Sequence, residues 1–494
     1  MACIRVGVVE VGERGQLAGL LGNPAPHRVF RGFFGRAGGL RPLPGARYAF
    51  HSHRGRRGIF LPDKRKAMRL SIILPNLRIG GAEKHFITLA EEFISLGIGV
   101  TFAPIRAEGE LLRALPRGAR VAQLLPEEAA TMLRRLETPG MLRRFLRKNV
   151  IRFGVDVLFG VPARLRRLVE EEESEVVISS LWEADFIAGL AFRKKRRGEP
   201  PRWIVVGETD FEVHVFRKPV RRFAFALLGR GYRYADAFVA PSSRIYHQLR
   251  NLARSDEIPV RIIPNAVKVK RICALAEEAI PASHERPLIV AVGRLIPEKG
   301  FDLLLKAFVR VIEAFPRAKL VILGDGILRG YLQALTKELG LEGAVSFPGF
   351  TLNPYPWMKR ADVVVVPSRW ETFGNVVVEA MALGVPVIAT RSGGPEDVVE
   401  DGEDGILIPV NDVEALAQTL ISLLADEERR RRISRRAIEK ARRFSPEMVA
   451  EEYLALFRSI GAHLDVKAWP SPPTLRRRKP SLSSPGRGRR LTPP

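Results

Sequence analysis

The sequence predicts an α/β protein made of two consecutive doubly wound parallel-sheet domains that face each other across a cleft. Three observations predict it. Short apolar runs of strand length recur along the chain, and helical patterns lie between most of them. The series breaks near residues 265–285 and starts afresh, so there are two sets of strands. At 494 residues the chain is long enough for two or three domains, each with its own core.

The first set opens at Leu70–Leu74 (LSIIL), directly after Met68. A loop, Pro75–Gly81, leads into a helical pattern with Phe86, Leu89, Ala90, Phe93 and Ile94 on one face and Gly97 as its stop. Val176–Ser180, Trp203–Gly207, Ala237–Pro241 and Val260–Pro264 follow as strands. The second set comprises Leu288–Gly293, Lys319–Gly324, Val345–Gly349, Val363–Pro367, Val385–Thr390 and Gly405–Pro409. The expected domains are therefore 68–280 and 285–444. A further helical pattern at 445–464 is placed where it can cross back to the first domain.

Composition narrows the function classes. Apolar residues make up 46% and charged residues 27%, as in a soluble globular protein. No window holds 18 uncharged apolar residues, so no membrane-spanning helix is expected. The N-terminus, interrupted by Glu10 and Glu13, does not read as a signal peptide. Cys3 and Cys273 are too few for a disulfide framework or a zinc site, and a reducing, cytoplasmic setting is expected. The net charge of +26 invites a nucleic-acid reading, but residues 1–67 hold 13 Lys/Arg against 3 Asp/Glu and residues 465–494 hold 8 against 1. The charge thus sits mostly in two Gly/Pro/Arg/Ser-rich tails that cannot bury a core. Both are expected to be disordered, and 1–67 is alternatively an upstream extension that the mature protein lacks.

Ligands of doubly wound sheets sit at the carboxyl ends of the strands, and four motifs fall there. Glu371-Thr-Phe-Gly-Asn-Val-Val-Val-Glu379 follows the strand that ends at Pro367. A helix starting near Phe373 to Asn375 would aim its free N–H groups at the cleft and seat a phosphate. Glu379, about one turn in, would reach hydroxyls of the phosphate's carrier; a plain helix with Glu379 on its solvated face has the same spacing. Gly293-Arg294-Leu295-Ile296-Pro297-Glu298-Lys299-Gly300 puts two cations in one loop, which suits a diphosphate or two solvated side chains. Gly80-Gly81-Ala82-Glu83 permits close backbone approach, as does an ordinary turn. Ser392-Gly393-Gly394-Pro395-Glu396 serves a ligand loop or turn punctuation equally.

Taken together, these pieces resemble retaining nucleotide-sugar glycosyltransferases of the two-domain GT-B fold, glycosyltransferase family 4, over about residues 68–464. The resemblance implies that Arg294 and Lys299 hold the donor diphosphate, that Glu371 touches hydroxyls of the transferred sugar, and that Glu379 touches the nucleotide ribose. It places the amides of Phe373, Gly374, Asn375 and Val376 against sugar and phosphate, and Gly80 and Gly81 near the phosphates and the acceptor. Pro348–Thr351 is a looser match to the base pocket. Many relatives carry a His after a middle strand of the first domain; here Glu208 stands right after the strand and His214 six residues on. Both are candidates for assisting the reacting sugar, with a packed or solvated role open for His214.

The donor implied is a UDP- or GDP-sugar, with no further cofactor. No Asp-x-Asp motif stands where a metal could bridge the phosphates, so metal independence is expected. Two N-terminal-half stretches, Met141–Phe153 and Arg217–Arg230, read as basic amphipathic helices or as core-facing helices with solvated arginines. With the basic tails, at about 1 kcal/mol per cation near an anionic leaflet, they suggest peripheral binding on the inner face of the cytoplasmic membrane. The leading expectation is transfer of a hexose or N-acetylhexosamine to a lipid-linked or growing glycan. A soluble enzyme with a sugar or sugar-phosphate acceptor is the alternative. A nucleic-acid binder leaves the loop motifs unexplained, and a non-catalytic nucleotide-sugar binder sits poorly with the intact Arg294, Lys299, Glu371 and Glu379.

Overall fold

The computed structural model describes residues 9–10, 68–126, 160–210, 230–253, 257–280 and 286–463. Met141–Phe153, His214, most of Arg217–Arg230 and nearly all of both tails lie outside them. The first sheet contains β1 (Val9–Glu10), β2 (Arg69–Leu74), β3 (Gly99–Pro104), β4 (Arg120–Val121), β5 (Val176–Ser180), β6 (Arg202–Val206), β7 (Ala237–Ala240) and β8 (Val260–Ile262). Their spatial order is β1-β4-β3-β2-β5-β6-β7-β8, parallel apart from the β1–β4 pair. The second sheet contains β9 (Leu288–Val292), β10 (Lys319–Leu323), β11 (Val345–Gly349), β12 (Val363–Val366), β13 (Val387–Thr390) and β14 (Ile406–Ile408). Its order is β11-β10-β9-β12-β13-β14, parallel throughout. The protein is therefore an α/β chain of two doubly wound parallel-sheet domains.

Both sheets are covered on both faces, which is why their strands read as continuous apolar runs. In the first sheet Ile73, Val177 and Val205 enter one core while Ile72, Ile178, Ile204 and Val206 enter the other. The second sheet divides in the same way: Ile289 and Val363 face one core, Val290 and Val364 the other. Strand β3 has no counterpart in the sequence-based expectation. Gly99 and Pro104 bound it, leaving little apolar run to see, yet it pairs with β2 over six residues and is buried from Val100 onward.

The C-terminal helix Pro446–Ser459 belongs to the core of the first domain, not the second. Val449, Tyr453, Leu456 and Phe457 are buried there, and Phe93 packs edge-on against Tyr453 with ring centroids 6.2 Å apart. The Arg202 Nε–H donates to the Ile460 carbonyl (2.7 Å). His85, on helix α1 (Gly81–Ser95), ties this helix to the interdomain connection. Its Nδ1 accepts the Ala266 N–H at 2.8 Å, and its Nε2 faces the Tyr453 hydroxyl at 3.5 Å.

Burial pushes the His85 imidazole down to about 3 from its ordinary 6.5, so it is neutral in the folded protein. Between those two pH values the unfolded chain binds a proton there that the folded chain does not. Stability is thus full above about pH 6.5 and is lost as pH falls towards 3. His85→Asn keeps an acceptor for the Ala266 amide and removes the titration. Urea unfolding is expected to show the wild type losing about 2 kcal/mol more than H85N between pH 7 and pH 5; equal losses would contradict the assignment.

Candidate functional site

Among the parallel strands the order of each sheet reverses once, between β2 and β5 in the first and between β9 and β12 in the second. Such switch points open a crevice at the carboxyl ends of the flanking strands. The loops that carry the sequence motifs leave from those ends. The Gly80-Gly81 turn follows β2, the Arg294–Lys299 loop follows β9, and the Glu371 loop follows β12.

In the second domain the two loops meet. The Lys299 Nζ lies 2.5 Å from Glu371 Oε2, and the Ser368 hydroxyl donates to the same oxygen at 3.3 Å. Glu371 is also held through its backbone: its N–H donates to the Ser392 carbonyl (3.0 Å), and its carbonyl accepts from the Gly394 N–H (2.8 Å). The Ser392-Gly393-Gly394 motif is therefore a strut for the Glu371 loop. A Cβ at Gly394 would lie 2.3 Å from the Phe373 Cα, so only glycine lets the strut close. Phe373 is buried against Phe444 at 5.8 Å, and Gly374, at φ +96°, starts the helix Asn375–Ala382. Val376 is half-buried beside the same core.

Close approach of the loops rests on Gly300. Its φ is +64°, and a Cβ there would meet the Pro367 carbonyl oxygen at 2.1 Å. Glu379 sits one turn into the Asn375 helix, where its Oε1 accepts the Tyr355 hydroxyl (3.3 Å). Burial pushes its carboxyl above the ordinary range, against the pull of the Tyr355 hydrogen bond and the Lys84 charge.

The first domain closes on this constellation. A Cβ at Gly81 would lie 2.8 Å from the Asn375 Nδ2, so Gly81 permits the contact between domains. The Asn375 Oδ1 is buried without a partner. Glu83 folds back over Gly80; burial raises its carboxyl, while its own backbone N–H and the charge of Arg294 lower it. Glu208, just past β6, has its Oε1 buried and unpartnered, and its Oε2 stands 3.5 Å from the Asn265 Nδ2. Its carboxyl is pushed up to about 7, mainly by burial, with the charges of Glu83 and Glu371 adding to the rise. At the rim, Asp397 accepts both the N–H and the hydroxyl of Ser243 at 2.6 Å, joining the first domain to the second.

The structure therefore gathers Gly80, Gly81, Glu208, Arg294, Lys299, Glu371, Phe373, Gly374, Asn375, Val376 and Glu379 about one cleft, while His214 lies outside the described residues. Sequence reasoning missed Tyr355 and Ser368, which hydrogen-bond Glu379 and Glu371, and the Ser243–Asp397 contact. Tyr355 and Asp397 stand in no motif, and Ser368 falls between the β12 run and Glu371. Among the described residues no group of three or more His, Cys, Asp or Glu could hold a metal ion, and no helix is long and apolar enough to cross a membrane.

Comparison with known proteins agrees with this architecture. The family model "Glycosyltransferase Family 4" matches residues 79–271, and "Glycosyl transferases group 1" matches 276–440. The chain belongs to glycosyltransferase family 4 and has the GT-B fold. It is 33% identical over 229 residues to the lipopolysaccharide core biosynthesis glycosyltransferase LpsE of Rhizobium meliloti, a match covering 46% of this chain and 66% of that protein. It is 27% identical over 382 residues to LpsD of the same organism, covering 76% of this chain and 95% of that one. The crystal structure of Anabaena HepE with UDP and glucose superposes with a TM-score of 0.62 at 21% identity, covering 79% of this chain and all of that one. Against LpsE the chain thus spans just under two thirds of the relative's length.

Replacing Gly300 by Ala must strain a left-handed residue and displace Pro367. Gly330, in the helix Arg329–Glu338, has open space around its Cβ position. Urea unfolding is expected to show G300A destabilised by more than about 1 kcal/mol and G330A neutral to stabilised. Equal stability of the two variants would contradict the Gly300–Pro367 contact.

Proposed function

We propose that this chain is a retaining glycosyltransferase that moves a hexose or N-acetylhexosamine from a UDP- or GDP-sugar to a lipid-linked or growing glycan of the cell envelope. The observation that carries the reading is the Lys299–Glu371 contact, which joins the two switch-point loops opposite the Gly80–Gly81 turn. A cation and a carboxylate at that spacing suit the two halves of a sugar diphosphate. Lys299 and Arg294 take the phosphates, and Glu371 takes hydroxyls of the sugar attached to them.

The chemistry asks for charge at both ends of the breaking bond. As the anomeric C1–O bond to phosphate breaks, negative charge grows on the diphosphate and positive charge on the ring. Arg294, Lys299 and the N–H groups of Phe373 to Val376 meet the first, a preorganised stabilisation that usually dominates. Glu371 and Glu208 border the second. Glu379 holds ribose hydroxyls, with Tyr355 fixing its carboxylate. The acceptor hydroxyl attacks from the face that the diphosphate leaves, and its proton passes to a departing phosphate oxygen. The products are the glycoside and a nucleoside diphosphate. Because the chain's own cations meet the leaving charge, the proposed transfer needs no metal.

For the acceptor, support comes from the names of LpsE and LpsD, both lipopolysaccharide core biosynthesis proteins. The basic tails favour a place on the cytoplasmic face of an anionic membrane, close to such an acceptor.

Donor binding by the full chain tests the reading. The melting temperature is expected to rise with one class among UDP-, GDP- and ADP-sugars, equally in EDTA. Arg294→Ala and Glu371→Ala are expected to abolish the shift, and the loss of one such charged contact to lower turnover about 100-fold, ~3 kcal/mol. A shift that disappears in EDTA would overturn metal independence. No shift with any donor would overturn the donor site.

A further inference from the structure

We propose that Arg369 is the positioning residue of the diphosphate site: its guanidinium fastens the loop after β9 to the loop after β12 and thereby sets where Lys299 stands. The inference rests on the donor-site reading and adds a residue to it. Arg369 lies two residues before Glu371, and Asp302 lies three after Lys299.

Arg369 makes four hydrogen bonds to the loop after β9 and to the first turn of the helix Phe301–Ala314 that follows it. Its Nη1 donates to the Pro297 carbonyl at 2.7 Å and to Asp302 Oδ1 at 2.9 Å. Its Nη2 donates to Asp302 Oδ2 at 2.7 Å, and its backbone N–H donates to the Glu298 carbonyl at 2.8 Å. The acceptors Pro297, Glu298 and Asp302 bracket Lys299 on both sides. The guanidinium–carboxylate pair is bidentate, and its side chains are only 23% and 17% exposed, so water screens it less than an ordinary surface pair. Burial alone would raise the Asp302 carboxyl, but the Arg369 hydrogen bonds and charge outweigh it and hold it below the ordinary range.

The chemistry explains why arginine stands here. A planar fork grips both carboxylate oxygens in parallel and a carbonyl beside them, a fixed bidentate geometry that an ammonium on a flexible stem does not offer. Lys299 sits in a single 3-10 turn, Pro297–Lys299, directly before the close approach that Gly300 permits. Unfastened, such a turn would let its ammonium wander. A misplacement of about 1 Å is enough to cost about 100-fold in turnover. Arg369 acts through Lys299: both Nη atoms of its guanidinium are bonded to Pro297 and Asp302.

Calorimetric binding of UDP or GDP, whichever the wild-type full chain binds, tests this in two backgrounds. Lys299→Ala is expected to weaken binding at least tenfold. Arg369→Ala is expected to weaken it about tenfold in the wild type and less than about twofold on top of K299A, because it acts through that lysine. Arg369→Lys is expected to recover little, and the charge swap D302R/R369D to recover part. Should R369A fail to fold, R369K and Asp302→Asn carry the same comparison. An equal factor in both backgrounds, or no weakening, would reduce Arg369 to a scaffold role and overturn the proposal. If K299A leaves binding unchanged, or wild type binds neither nucleotide, the donor-site reading fails instead.

Discussion

The contact between Lys299 and Glu371 is the constraint on which the rest of the site depends. A lysine from the loop after β9 and a glutamate from the loop after β12 can meet only because those strands are neighbours at the point where the sheet order reverses. The meeting also needs Gly300, whose missing side chain admits Pro367, and Gly394, whose missing side chain admits Phe373. Backbone hydrogen bonds to the Ser392 carbonyl and from the Gly394 N–H then hold Glu371 at a fixed height. The pair neutralises itself at 2.5 Å. On the proposed reading, an arriving diphosphate draws Lys299 away from Glu371 and leaves that carboxylate for the sugar.

Around this pair the two domains make complementary use of charge and backbone. The first turn of α1 places Glu83 within reach of the charge of Arg294 and Lys84 within reach of that of Glu379. Gly81 lets the same turn touch Asn375. The Asp397–Ser243 contact closes the rim, and the C-terminal helix returns to the first domain through His85 and Tyr453. Closure thus has several ties around the crevice at the switch points. Glu208 is left with a buried, unpartnered oxygen in that crevice, the kind of atom that a ligand hydroxyl satisfies.

Much of the fold was legible because parallel sheets covered on both faces demand apolar runs, and runs such as LIVAV and VVVV announce themselves. Strand β3 was not, since Gly99 and Pro104 hide its short apolar stretch and only pairing with β2 makes it a strand. The motif residues could be placed at strand ends because each follows its strand within a few positions. What stayed hidden were partners far apart in sequence. Tyr355 and Glu379 are separated by 24 positions, Ser243 and Asp397 by 154. No local pattern joins such pairs; tertiary packing does. Arg369 was hidden differently: it stands two residues from Glu371, but its partners lie in another loop.

A crystal structure of the full chain with a bound nucleoside diphosphate tests the central claim most directly. On the proposed reading the phosphates lie against Arg294, Lys299 and the first amides of the Asn375 helix, with Glu379 on the ribose. Lys299 must then turn from Glu371 towards phosphate, leaving that carboxylate free for sugar. A nucleotide seated elsewhere, with the Lys299–Glu371 contact untouched, would contradict it.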